Sequence, residues 1–162
     1  MKITLLQVGK TDHSALGELV ENYTKRLHHY TSFQARVLPD LKKTKHLTID
    51  QQKQQEGSII LGHLTASDHV ILLDENGQQF TSVGFSKLIQ KQLNSGVKQV
   101  VFVVGGPYGF SDEVYQRSNA KLSLSPMTFS HQMVRLFFTE QLYRAFTILK
   151  GEPYHLSLIH IS

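Results

Sequence analysis

The run from Gln99 to Val104 is apolar at its last five positions and lacks the polar alternation of a strand with one face in water. A strand of this kind is buried on both faces, which is typical of a parallel sheet covered by helices on both sides. Further strands are predicted at residues 2–8, 33–38, 69–73 and 120–124, with helical patterns between them. This alternation predicts an α/β fold with a mostly parallel sheet of about five strands.

Helical periodicity accounts for most of the segments between these strands. The first helix is predicted over residues 13–30, with Asp12 as its N-cap. The sequence further predicts a basic loop over 40–47, helices over 48–65, from Ser82 or Ser86 to Gly96, over 111–117 and over 129–149, and a turn over 74–77. Since the last helix is apolar on more than one face, either the core or a second subunit must cover it.

Composition excludes several classes of protein. There is no cysteine, so disulfides and thiolate metal sites are excluded, and no histidine spacing indicates any other metal site. No segment approaches the roughly 20 apolar residues of a membrane span, and the start of the chain lacks the apolar core of a signal peptide. We therefore expect a cytoplasmic protein. The net charge of +4 fits an anionic partner such as RNA but does not single one out.

Three predicted strands end in unusual loops. Leu73 precedes two acidic residues, Val104 precedes the turn Gly105–Gly109, and the fifth strand leads into residues 124–129. Ligands in open α/β sheets bind at the carboxyl ends of the strands, and glycine lets a ligand approach the backbone. A tight strand-to-helix connection explains the glycines equally well. The pattern is not G-x-G-x-x-G and follows the fourth strand, which argues against a dinucleotide site.

A second group of polar residues lies in and after the last helix. His131 and Arg135 are four residues apart, as are Glu140 and Arg144, so each pair shares a helix face. For Glu140 and Arg144 the spacing favours a structural ion pair. The segment Pro153-Tyr154-His155 follows this helix.

Taken together, these motifs resemble the RlmH family of bacterial ribosomal RNA methyltransferases, within the SPOUT superfamily. The resemblance covers residues 1–155, interpreted as a single domain, and rests on these segments: Met1–Ile3, Val8–Lys10, Leu73–Asp74 with Gly77, Phe102–Gly106, Gln116–Asn119, Leu122–Arg135, Glu140–Ala145 and Gly151–His155. It implies a SPOUT α/β knot, in which the C-terminal segment forms a deep trefoil knot, and a homodimer. Periodicity cannot predict a knot, because most chains are unknotted.

The resemblance also implies an activity. The family uses S-adenosyl-L-methionine to methylate N3 of the pseudouridine at position 1915, in helix 69 of 23S rRNA, and acts on assembled 70S ribosomes. By the same resemblance, the residues that bind the methyl donor are Leu73, Gly105, Leu124, Ser125, Pro126, Met127, Thr128 and Phe129. The imide N3 must lose a proton, so a base or a cation that stabilises the enolate is expected close by.

Four residues are candidates for these catalytic roles. Tyr154 and His155 are the candidates for the base, whereas Arg144 and Arg135 are expected to stabilise developing charge or to bind phosphate.

Two alternatives remain at this stage. The apolar residues 156–162 differ from the polar ends typical of the family, and we interpret them as an atypical or artefactual tail. A tail that displaced His155 would leave a catalytically impaired RNA-binding ribosome assembly factor on the same fold. A flavodoxin-like oxidoreductase shares the α/β alternation, but it needs a phosphate-binding loop after the first strand, where residues 9–12 supply one glycine.

Overall fold

A computed structural model describes residues 1–156. This part of the chain contains a parallel five-stranded sheet. The strands are β1 (Lys2–Val8), β2 (Ser32–Leu38), β3 (His69–Gln79), β4 (Gln99–Val104) and β5 (Ala120–Ser123), in the order β2-β1-β4-β3-β5. The helices are α1 (Ser14–Leu27), α2 (Ile49–Gly62), α3 (Ser82–Asn94), α4 (Asp112–Arg117) and α5 (Met133–Leu149), with a short 3-10 helix over Thr44–His46. The predicted α/β class and parallel sheet are confirmed. No helix in this part of the chain combines the length and hydropathy needed to cross a membrane.

Each face of the sheet carries its own apolar core. Buried side chains of α1, α3 and α5, among them Leu27, Ile89 and Phe138, pack against one face. On the other face Ile60 and Val114, from α2 and α4, pack against β1, β3 and β4. Because successive side chains of a strand point to opposite faces, an almost continuously apolar strand such as β4 supplies both cores. The predicted helical cover on both faces is confirmed.

Helix α5 is mostly a core helix. It packs between α1 and α3, with Phe138 and Leu142 fully buried. Met133 and Phe137 nevertheless remain 37% exposed. Burial in the core therefore explains most of the apolar surface of this helix. Met133 and Phe137 remain partly uncovered by the described part of the chain.

Several predicted boundaries are wrong. His13, not Asp12, is the N-cap of α1, and it makes no side-chain cap bond. The backbone N–H of Asp12 instead donates to Gln132 Oε1, 3.0 Å away. Helix α5 begins at Met133 rather than at residue 129, and Ser130 Oγ accepts the Met133 N–H at 3.1 Å. Residues 129–132 consequently belong to the loop that follows β5.

The predicted turn over 74–77 is also wrong, because β3 continues through it to Gln79. The strand pairs with β5 on both sides of an irregularity between Leu73 and Gln78. At Gly77 an added Cβ would lie 2.7 Å from backbone atoms of Leu122, so glycine permits this close approach of the two strands. Because this stretch is polar, its sequence did not indicate that it continues β3 and pairs with β5.

Arg135 is fully buried, which contradicts its predicted role in binding phosphate. Its Nη1 donates to Gly9 O at 2.9 Å and to Thr11 Oγ1 at 3.2 Å, and its Nη2 donates to Val8 O at 2.7 Å. The side chain thereby joins α5 to the carboxyl end of β1. A group enclosed in this way cannot reach a nucleic acid.

Two predictions concern the C-terminal end of the chain. The trefoil knot stays a prediction. Of the predicted tail, residues 156–162, only Leu156 lies within the described residues, and its side chain is exposed.

Candidate functional site

The carboxyl ends of β4 and β5 and the irregular stretch of β3 after Leu73 surround a cleft of about 550 Å³. Since these strands are neighbours in the sheet, the loops after β4 and β5 meet this stretch of β3 at one edge. The volume lies in the range of small-molecule sites. Seven of the eight residues predicted to bind the methyl donor line this cleft: Leu73, Gly105, Leu124, Ser125, Met127, Thr128 and Phe129. Pro126 belongs to the same loop but does not line the cleft.

The loop after β5 lines the cleft, and the backbone groups of residues 125–129 have no backbone partners within the described part of the chain. Side chains shape the loop instead, because Ser125 Oγ accepts the Met127 N–H and Ser123 Oγ donates to Ser125 O, both at 2.9 Å. Free N–H and C=O groups require a partner, either water or a ligand. Together with apolar Leu73 and Leu124, they suit a flat heterocycle with donors and acceptors on its edge.

One wall of the cleft is acidic. Asp74 accepts a short hydrogen bond from the hydroxyl of Tyr115, a residue of α4, and the Asn76 N–H at 2.8 Å. Glu75 Oε2 accepts from Thr128 Oγ1 at 3.0 Å, which links the loop after β5 to β3. Two carboxylates beside apolar surface favour a ligand with positive charge. The contact with Tyr115 was not predictable, because nothing in its sequence spacing from Asp74 indicates it.

The paired glycines after β4 make room for protein rather than for a ligand. A Cβ on Gly105 would lie 2.9 Å from the ring of Phe110, and one on Gly106 would lie 2.6 Å from Glu56 Oε2. Glu56 Oε1 accepts the Gly106 N–H at 2.8 Å. The interpretation of these glycines as a tight strand-to-helix connection is therefore the better one, although Gly105 still lines the cleft.

A separate cluster forms around Glu140, in the middle of α5. Arg144 Nη2 and Nε donate to Glu140 Oε1 at 2.5 and 3.1 Å, so the predicted ion pair is confirmed. Tyr154 donates its hydroxyl to the same oxygen at 2.9 Å, and Arg144 Nη1 lies 3.1 Å from His155 Nδ1. The structure thus brings together all three residues predicted to be catalytic.

The hydrogen-bonding roles in this cluster follow from its chemistry. A guanidinium has no acceptor, so His155 Nδ1 must accept from Arg144 and the proton of the neutral ring is on Nε2. Burial raises the pKa of the Tyr154 hydroxyl, and its contacts with Tyr23 and Glu140 raise it further. Tyr154 therefore remains protonated near neutral pH. The cluster presents a cation and hydrogen-bond donors rather than a ready base.

Comparisons with known proteins agree with this architecture. The family described as "Predicted SPOUT methyltransferase" matches residues 1–155. The chain belongs to the SPOUT methyltransferase family. It is 61% identical over 155 residues to the "Ribosomal RNA large subunit methyltransferase H" of Christiangramia forsetii, an alignment that covers 96% of this chain and 99% of the relative. The proteins of the same name from Flavobacterium johnsoniae and Flavobacterium psychrophilum are 59% and 58% identical with the same coverage. The resemblance to the RlmH family is confirmed.

In this SPOUT methyltransferase the cleft and the Glu140 cluster are separate within one chain. Val134 is the most C-terminal residue that lines the cleft, and Arg144 lies ten residues further along α5. At 1.5 Å per residue, this separation is about 15 Å along the helix axis. None of Arg144, Tyr154 and His155 lines the cleft. The methyl-donor candidates and the catalytic candidates therefore form two groups.

Glu56 offers a test of how this SPOUT methyltransferase holds its glycine loop. Glu56→Ala leaves the partly buried Gly106 N–H without an acceptor, which is expected to lower the free energy of unfolding by about 1–3 kcal/mol. Glu56→Gln keeps an acceptor oxygen and is expected to cost less. Urea unfolding of both variants measures the difference, with exposed Glu21→Ala as the control. Equal stability of the two Glu56 variants would contradict a supporting role for the Gly106 contact.

The wild-type protein and Glu56→Gln should also differ in how their stability depends on pH. Burial raises the pKa of Glu56, so the folded state binds its proton more tightly than the unfolded state. Wild-type stability is therefore expected to fall as the pH rises from the ordinary glutamate range, about 4.3, through the raised pKa. Glu56→Gln has no carboxyl group to titrate at this position. Its stability relative to wild type should therefore improve over the same pH range.

Proposed function

We propose that this protein transfers a methyl group from S-adenosyl-L-methionine to N3 of a pseudouridine in helix 69 of 23S rRNA, in assembled cytoplasmic ribosomes. The observation that carries the proposal is the strand-end cleft, where the loop over the described residues 125–129 has no backbone–backbone bonds and lies beside the acidic residues Asp74 and Glu75. Relatives 58–61% identical that are named as methyltransferases of large-subunit ribosomal RNA support the substrate class.

The residues of the cleft fit such a methyl donor. Leu73, Leu124 and Met127 provide apolar surface for an adenine ring, and the backbone of the loop can pair with its edge. The carboxylates of Asp74 and Glu75 complement the positive charges of the donor. When bound, S-adenosyl-L-methionine supplies an activated methyl group on a sulfonium. The task of the chain is then to orient the two reactants, which accounts for most of the rate gain in an in-line displacement.

The Glu140 cluster fits the other half of the reaction. As N3 of the pseudouridine loses its proton, negative charge spreads to the neighbouring carbonyl oxygens. The Arg144 guanidinium and the Nε2–H of His155 are groups that stabilise such charge. Glu140 holds Arg144 in place, and Tyr154 is fixed on the same carboxylate. We therefore assign to this cluster the stabilisation of the enolate, while the N3 proton passes to solvent water rather than to His155.

A homodimer is part of the proposal. The cleft and the cluster have no residue in common within one chain, and we propose that a second copy brings one of each together. Apolar surface beside the cleft is available for such contact, because Met133 and Phe137 are half-exposed and the Phe137 ring lies 4.8 Å from that of Phe129. In a twofold dimer the cluster of one chain would face the cleft of its partner.

The test uses radiolabelled S-adenosyl-L-methionine and intact 70S ribosomes, with and without pseudouridine in helix 69. The proposal predicts incorporation of label into 23S rRNA only where pseudouridine is present. Ribosome binding without incorporation would contradict it and would instead indicate an RNA-binding assembly factor on the same fold.

A further inference from the structure

Arg26 is an exposed arginine that two aromatic rings hold in place. It lies in the last turn of α1. Its guanidinium carbon is 5.4 Å from the ring centroid of Tyr23 and 5.6 Å from that of Tyr143, a residue of α5. An exposed arginine usually samples many rotamers, and such contacts reduce the entropy that it loses when it binds a ligand.

The charge of Arg26 is not neutralised by the described part of the chain. Arg117, Arg135 and Arg144 each donate to oxygen atoms of the protein. Among residues 1–156, by contrast, no carboxylate lies within 4.0 Å of Arg26 and no side-chain hydrogen bond uses its guanidinium. None of the residues three or four positions away along α1 is acidic. The N–H donors of Arg26 therefore have no hydrogen-bond acceptor within the described residues and can serve an external acceptor.

Arg26 also lies next to the Glu140 cluster. The ring of Tyr143, which contacts Arg26, lies 4.7 Å from the ring of Tyr154, and the Arg144 guanidinium carbon is 4.8 Å from that same Tyr154 ring. The hydroxyls of Tyr23 and Tyr154 are 3.4 Å apart. One continuous aromatic group therefore connects the free guanidinium of Arg26 to the proposed catalytic residues.

We infer that Arg26 binds a backbone phosphate of the RNA substrate close to the target nucleotide, an inference that rests on the proposed function. A planar guanidinium with free N–H groups matches two phosphate oxygens at once. Tyr23 and Tyr143 fix its orientation, so the contact positions the RNA relative to Tyr154 and His155. Arg26 is a binding residue, and the reaction leaves it unchanged.

The test measures ribosome affinity and methyl transfer for the full chain. Arg26→Ala is expected to weaken binding of 70S ribosomes about 10-fold and to lower the slope of log affinity against log salt by about one. The KM for ribosomes should rise in parallel and kcat should fall by a smaller factor, because the contact also positions the RNA. The affinity for S-adenosyl-L-methionine should stay at the wild-type value. Arg26→Lys keeps the charge but loses the planar fork, so we expect it to restore the salt slope and only part of the affinity.

The control is Arg36→Ala, which removes the same charge from an exposed position on edge strand β2. It should leave the affinity and salt slope close to wild type. Wild-type affinity and slope in Arg26→Ala, or equal losses in both variants, would overturn the phosphate contact. Failure of the proposed function is recognised separately, because wild-type protein would then transfer no methyl group even where the Arg26 variants change ribosome binding.

Discussion

Replacing His155 with alanine is expected to lower kcat for methyl transfer about 100- to 1,000-fold, the usual effect of losing one donor that stabilises developing negative charge. Because His155 Nδ1 accepts from Arg144, its free N–H is on Nε2 and is available to a carbonyl oxygen of the substrate. The residue does not line the cleft of its own chain, so the affinity for S-adenosyl-L-methionine should fall far less than kcat. Single-turnover transfer of radiolabelled methyl to 70S ribosomes measures the rate.

A glutamine at position 155 separates the two possible roles of the histidine. Glutamine can accept from Arg144 and still donate an N–H, but it cannot take up a proton near neutral pH. If His155 acts as a donor, His155→Gln should transfer methyl groups about tenfold faster than His155→Ala. His63→Ala, at an exposed position beyond α2, should retain the wild-type rate. No gain from glutamine, with loss of a pH-dependent step near the histidine range, would identify His155 as the base and contradict the donor role.

Replacing Arg135 with alanine is expected to lower the free energy of unfolding by about 3–5 kcal/mol, equivalent to a fall in Tm of about 10 °C. The buried guanidinium donates to the carbonyls of Val8 and Gly9, and alanine leaves both without this partner and opens a cavity. Burial also lowers the pKa of Arg135, which shows that its charge is costly at this position. Urea unfolding at neutral pH measures the loss.

Arg135→Met separates the hydrogen bonds from the volume of the side chain. Methionine fills much of the space and carries no charge to desolvate, so its cost should lie between those of wild type and Arg135→Ala. Arg36→Ala, at an exposed position, should change stability by less than about 0.5 kcal/mol. Full wild-type stability in Arg135→Met would contradict the structural role of the carbonyl contacts.

The parallel sheet was predictable because β4 has no polar alternation, a pattern that only a sheet covered on both faces tolerates. The extension of β3 was not predictable, since Asp74, Glu75 and Asn76 have the composition of a turn. Only the close approach at Gly77, which depends on the position of β5, makes this stretch a strand. Tertiary pairing therefore overrode local sequence preference.

Some features of the candidate site were likewise predictable from the sequence, and others were not. The rule that ligands bind at strand ends located the cleft without any structure, because it depends on the topology of the sheet alone. The contact between Glu56 and Gly106 joins residues 50 positions apart, and no local pattern indicates it. Arg135 and Arg144 are equally polar in the sequence, yet one caps β1 in the core and the other lies in the Glu140 cluster. Burial, which requires the fold, distinguishes their roles.

Binding of S-adenosyl-L-methionine at the strand ends is the central claim, and calorimetric titration tests it directly. Thr128→Trp places a large ring at an exposed position that lines the cleft. Pro126→Trp adds the same ring to the same loop at a residue that does not line it. We expect saturable binding to wild type and to Pro126→Trp, and at least tenfold weaker binding to Thr128→Trp. Wild-type affinity in Thr128→Trp, or no binding to the wild-type protein, would contradict it.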